Sequence, residues 1–154
     1  MNRDSRARPG RRMTTRLDHL HLQVPSWVPY TATVRRICGK DFEAVRVPAG
    51  IAEPAYIRLG AAGPVIASAY TGIWYWLFDA REITAAQWDV PGTRLMPAGR
   101  AIHIPPAATA TGPDAHWAHW IVPPGRGRTQ PEQLHRALAG TRVAPPGRSS
   151  LPAA

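Results

Sequence analysis

Gly72-Ile73-Trp74-Tyr75-Trp76-Leu77-Phe78 carries six consecutive apolar or aromatic side chains after a glycine. On a strand, successive side chains point to opposite faces, so this run is apolar on both. That predicts a strand in the middle of a sheet, covered on two sides. Pro64–Ala69 precedes it and reads as its hairpin partner, joined through Tyr70-Thr71-Gly72. Glu43–Val47 is a further strand, ended by Pro48. Thr93–Met96, Arg100–Ile104 and Ala115–Val122 complete the predicted set.

Helical segments flank these strands. Gly50–Leu59 reads as a helix stopped by Gly60, with Pro54 tolerable only near its first turn. Thr129-Gln130-Pro131-Glu132 has the spacing of a capping box for a helix over 130–139, with Leu134 and Leu138 on its inner face. Tyr30–Cys38 suits a short helix, with Val34, Ile37 and Cys38 on one face and Gly39 as its left-handed cap. Leu17–Val24 alternates and suits a short strand. Ile83–Trp88 is a helical turn or a loop.

The expected fold class is therefore α/β (α+β): a single domain over 17–139 with a mixed or mostly antiparallel sheet and flanking helices. Residues 1–16 form an expected disordered basic arm. Residues 140–154 form an expected disordered Pro/Gly/Ser tail. A length of 154 residues suits one domain, and 44% hydrophobic residues can supply a core. The 17 Pro and 13 Gly imply many turns and short elements.

The formal net charge of +9 is unevenly spread. Residues 1–16 hold six Arg against one Asp, and residues 140–154 hold Arg142 and Arg148. The arm reads either as a loose phosphate-binding tail or as a solvated segment of an Arg-rich chain. Met13 offers an alternative start that would remove five Arg. The single Cys38 excludes an internal disulfide and fits a reducing compartment. No apolar run reaches membrane-spanning length, and Arg11-Arg12 is not followed by an apolar stretch. The expectation is a cytoplasmic protein with no membrane partner.

Candidate chemistry is sparse. His116 and His119 stand at i and i+3, which on a strand face opposite sides, so one metal cannot take both. His19 and His21 share a face without a nearby acid or thiol to complete a site. Asp41-Phe42-Glu43 sets two carboxylates on one strand face, a Mg²⁺-binding arrangement, but it lies at the entry of its strand. Gly125-Arg126-Gly127-Arg128 precedes a helix N-terminus and reads as an anion contact or as a solvated turn. No phosphate loop, dinucleotide fingerprint or nucleophile elbow is present.

One resemblance emerges from the order of segments. Phe42-Glu43-Ala44-Val45-Arg46-Val47-Pro48 is followed by Gly63-Pro64-Val65-Ile66 and Gly72–Phe78. Then come Gly99-Arg100-Ala101-Ile102-His103-Ile104-Pro105-Pro106, Gly112 and His116-Trp117. Over about residues 30–139 this resembles the bifunctional DNA primase/polymerase N-terminal domain of the archaeo-eukaryotic primase group. It is closest to the short, divergent forms of high-GC actinobacteria. The resemblance implies a primase/polymerase-like fold, a replication-linked role and, in active relatives, Mg or Mn held by acids.

The departures from that pattern decide the functional expectation. Arg46 and Pro48 stand where the family places metal-binding acids. Tyr75 stands at the place of a histidine, and Met96 and Pro97 occupy the region of a third acid. An arginine repels the cations that nucleotidyl transfer needs. The expectation is a catalytically degenerate domain that binds DNA, a nucleotide or a replication-associated protein partner, without cofactor or metal. Arg46, Tyr75, Arg100 and His103 are its expected nucleic-acid or phosphate contacts. On the residues alone, Arg46 and Arg100 equally suit exposed strand positions.

Two alternatives stand beside it. An active metal-dependent nucleotidyltransferase would draw on Asp41, Glu43, Asp79 or Asp89. A protein-interaction module would use some of the six tryptophans, Trp27, Trp74, Trp76, Trp88, Trp117 and Trp120.

Overall fold

The computed structural model describes residues 24–60, 62–84, 87–107, 118–125 and 127–141. The expected basic arm, the Leu17–Gln23 part of the first strand, His19, His21, His116, Trp117 and Arg126 lie outside them. So does the tail from residue 142.

The chain is a single α+β domain. Among the described residues, seven strands run as β1 (Val34–Ile37), β2 (Phe42–Pro48), β3 (Val65–Ser68), β4 (Ile73–Asp79), β5 (Arg94–Leu95), β6 (Ala101–Ile104) and β7 (Ala118–Val122). Helix α1 (Ala49–Leu59) follows β2, and α2 (Pro131–Ala139) follows β7. A five-stranded sheet has the order β5-β2-β4-β3-β7, and β1 pairs with β6 in a separate two-stranded sheet. Every pairing is antiparallel. The doubly apolar run is β4, the central strand of the larger sheet.

Both faces of that sheet are covered, which is why β4 is apolar throughout. Val45, Val47, Val65, Trp76, Phe78 and Val122 face α1 and α2, packing against Ala52, Ala55, Leu134 and Leu138. Phe42, Ala44, Ile66, Leu77, Ala118 and Trp120 face the other way. There they meet Ile102 and Ile104 of β6, Cys38, and the segment carrying Trp27 and Val28. Trp120 also donates its indole N–H to the Pro106 carbonyl at 3.0 Å, tying the strap after β6 to this layer.

The segment expected to be a helix over Tyr30–Cys38 is instead strand β1. Val34 and Arg36 turn inward while Arg35 and Ile37 are exposed, a two-residue alternation. Arg36 Nε donates to the Trp27 carbonyl at 3.2 Å. Pairing with β6 satisfies the backbone and overrides the local helical spacing. Gly39 does adopt a left-handed conformation (φ 91°), but in the turn between β1 and β2.

The helices keep close to their expected bounds. Gly60 caps α1 with φ 69°, its N–H donating to Tyr56 O at 3.2 Å. Pro54 lies in the second turn of α1, past the first-turn position at which it is best tolerated. Its ring removes the N–H that would bond the carbonyl of Gly50, a residue exposed to solvent. The start of α2 differs from expectation. Gln130 is its N-cap, and the Gln130 N–H donates to Gln133 Oε1 at 3.4 Å. Thr129 is buried and serves tertiary structure instead, its hydroxyl donating to Ala62 O at 2.7 Å. No helix among the described residues is long and apolar enough to cross a membrane.

Candidate nucleic-acid interface

Strand register aligns one residue from each strand of the large sheet. Arg94 pairs with Arg46, Arg46 with Tyr75, Tyr75 with Ile66, and Ile66 with Trp120. Alternation puts all five on the face opposite the helices. The row grades from apolar to cationic. Trp120 and Ile66 are fully covered, Tyr75 and Arg46 are half-buried, and Arg94 is exposed. Tyr75 packs against the second core cluster, and the two guanidiniums continue the row to the sheet's β5 edge.

Among the described residues, this geometry concentrates positive charge without an ion-paired counter-charge. Directly opposed like charges on neighbouring strands repel. Among the described residues, no carboxylate forms an ion pair with Arg46 or Arg94. A basic pair beside an aromatic ring, on a sheet face, suits a phosphate backbone with a base against the ring.

The four expected contact residues do not gather at one place. Arg46 and Tyr75 are immediate neighbours. Arg100 is exposed at the turn before β6, and its carbonyl accepts the Cys38 N–H at 2.7 Å. That turn adjoins the Phe42 end of β2, about 13 Å along the strand from Arg46. His103 pairs with Arg35 on the two-stranded sheet and points away from the core, since Ile102 and Ile104 take the inner positions. Partial burial and then the Arg35 charge hold its imidazole below the usual histidine range.

Arg94 is the member that sequence reasoning missed. Thr93–Met96 was readable as a strand, but its partner and register were not. Only the pairing Val45 with Leu95 and Arg46 with Arg94 sets the two arginines side by side.

The acids lie elsewhere. Asp41 is exposed in the turn before β2. Glu43 accepts the Ile83 N–H at 2.9 Å through Oε2. Asp89 pairs with His135 at 2.6 Å, and that contact lowers its carboxyl below the usual range. Asp79 and Glu82 both bind the Arg128 Nη2 group. Arg128, from the Gly-Arg-Gly-Arg segment, is thus engaged by carboxylates. Among the described residues, no group of three or more His, Cys, Asp or Glu could hold a metal ion. Arg46, Pro48, Tyr75, Met96 and Pro97, with Arg94 beside Arg46, stand at the positions that the sequence resemblance would assign to metal-binding groups. This donor set does not fit a divalent cation, because guanidinium groups offer charge of the same sign and no acceptor oxygen.

Asp79, Glu82 and Arg128 also line a cavity of about 450 Å³. Pro25, Trp27, Pro64, Leu77, Phe78 and Thr129 are among its other lining residues. Glu82 carries a raised pKa, chiefly through burial, with Arg128 acting in the opposite direction.

Tryptophan is mostly structural. Trp27, Trp76 and Trp120 are buried, and Trp74 and Trp88 pack against the first core cluster. These five therefore do not form an exposed aromatic surface. Comparison with known proteins finds no matching family model, no matching curated protein and no matching solved structure.

Proposed function

We propose that this chain is a primase/polymerase-like domain that binds nucleic acid and has lost metal-dependent nucleotidyl transfer. One observation carries the reading: the register-aligned row Arg94, Arg46 and Tyr75 on the sheet face opposite the helices. An anionic backbone relieves the repulsion between the two guanidiniums, and the phenol ring supplies a stacking face. The segment order of the primase/polymerase resemblance adds support. It assigns Arg46 and Tyr75 to the positions from which active relatives run catalysis.

The test is fluorescence anisotropy with a labelled oligo-dT, a duplex and a primer-template, from low to high salt. The expected result is binding that weakens linearly in log affinity against log salt. The double variant Arg46→Ala, Arg94→Ala should bind markedly more weakly. No binding to any of the three at low salt sinks the proposal. Primer extension in Mg²⁺ or Mn²⁺ is expected to give no incorporation, and incorporation would overturn the loss of catalysis.

A further inference from the structure

We infer that the outer face of the β1–β6 ladder, with the turns at its end, is a second contact surface for the same nucleic-acid backbone, carried by Arg35, Lys40 and Arg100. The inference rests on the nucleic-acid reading of the Arg94–Arg46–Tyr75 row and extends that footprint by one layer. Ile102 and Ile104 of β6 pack onto the sheet face opposite the helices, the face that carries the row. The ladder is therefore the outer layer on the row's own side of the molecule. Two-residue alternation turns Arg35 and Ile37 of β1 outward, together with Ala101 and His103 of β6.

Charge on this layer is one-sided. Residues 34–41 and 97–104, the two strands and the turns that join them to the large sheet, carry Arg35, Arg36, Lys40 and Arg100 against Asp41 as the one acid. Arg36 turns inward and donates to the Trp27 carbonyl. Arg35, Lys40 and Arg100 are exposed, and among the described residues no carboxylate forms an ion pair with any of them. The Gly99 N–H donates to Cys38 O at 3.0 Å, and the Cys38 N–H donates to Arg100 O at 2.7 Å. Those bonds set the turns carrying Lys40 and Arg100 at the same end of the ladder. Arg35 pairs with His103, about 10 Å along β6 from Arg100. The helix side is balanced by contrast: α1 and α2 carry Glu53 and Glu132 beside Arg58 and Arg136. A cationic excess confined to one side, and continuous with a basic row, fits a polyanion lying over both levels. Stacked layers stand about 10 Å apart, a step that a single strand of several nucleotides crosses.

The test is fluorescence anisotropy of a labelled oligo-dT of about 15 nucleotides with the full chain over a salt series. Each phosphate contact on a single strand contributes about 0.7 to the slope of log affinity against log salt. The triple variant Arg35→Ala, Lys40→Ala, Arg100→Ala should therefore reduce that slope by about 2, with thermal melts establishing that it is folded. Arg136→Ala removes a cation from the helix side and should leave the slope unchanged. An unchanged slope in the triple variant overturns the inference, while weaker binding by Arg46→Ala with Arg94→Ala would keep the row's own role intact. An equal loss per cation in Arg136→Ala also overturns it, since net charge alone would then account for the effect. No binding by the parent chain sinks the row and this surface together.

Discussion

Arg46 and Arg94 oppose each other directly across the β2–β5 pair, on the same face of the sheet. Two like charges in register cost stability, and no described acid offsets them. Arg94→Glu converts the repulsion into an attraction. The substitution should raise stability by a few tenths of a kcal/mol, since the site is solvent-screened. It should weaken oligonucleotide binding at the same time. Urea unfolding and anisotropy on one preparation check both, and a loss of stability would show that the pair does not repel.

Arg46 is half-buried in the row, so its phosphate contact is expected to be specific in place but not in sequence. Arg46→Ala should reduce the slope of log affinity against log salt by about 1. The loss should be similar for oligonucleotides of different sequence. An unchanged slope would remove Arg46 from the interface.

Cys38 is buried after β1, and burial pushes its thiol up to about 11. The residue follows a strand and not a helix, so no helix dipole acts on it. Alkylation by iodoacetamide at pH 8 should be slow in the native protein and fast in urea. The folded pKa lies above the unfolded value, so this thiol's contribution is fully present below about pH 9. It is lost as pH rises toward about 11, and unfolding midpoints should fall over that window.

Gly39 has φ 91°, and an added Cβ would come within 2.6 Å of Ala98 Cβ and 2.9 Å of its Cα. Gly72, in the β3–β4 turn, has φ 62° with open space around it. Gly39→Ala should therefore cost about 2–4 kcal/mol, combining backbone strain and overpacking. Gly72→Ala should cost only the backbone part, about 1–2 kcal/mol. Equal unfolding free energies for the two variants would contradict the close approach of Ala98.

Arg128 lowers the Glu82 pKa against the larger effect of burial. Arg128→Ala should therefore move that carboxyl further upward, a change visible by NMR titration of the Glu82 side chain. A raised folded pKa stabilises below the unfolded value and fades as pH rises through the folded one. The variant should thus lose relatively more stability between mildly acidic and neutral pH than the parent does.

Much of the fold was legible from residue pattern. Ile73–Phe78, apolar on both faces, occupies the sheet centre. The hairpin at Tyr70-Thr71-Gly72 joins β3 and β4 as its turn residues indicate. The failures share one cause. Val34-Arg35-Arg36-Ile37 fits either period locally, and pairing with β6, more than sixty residues away in sequence, selected the strand. Thr129 carries the residue type of a helix cap, but its hydroxyl meets Ala62, a partner no local spacing reveals.

Chain chemistry alone determined both helices and the strands from β2 onward, because burial demands a period and turns demand Gly, Pro or Asn-like residues, but it left Val34–Ile37 open. Tertiary structure decided the rest. Register set Arg94 beside Arg46 and kept Arg100 and His103 away from them. Chain closure brought Arg128 onto Asp79 and Glu82 across 49 and 46 residues. Neither outcome is encoded locally, since strand alignment and loop return depend on which distant apolar faces bury each other.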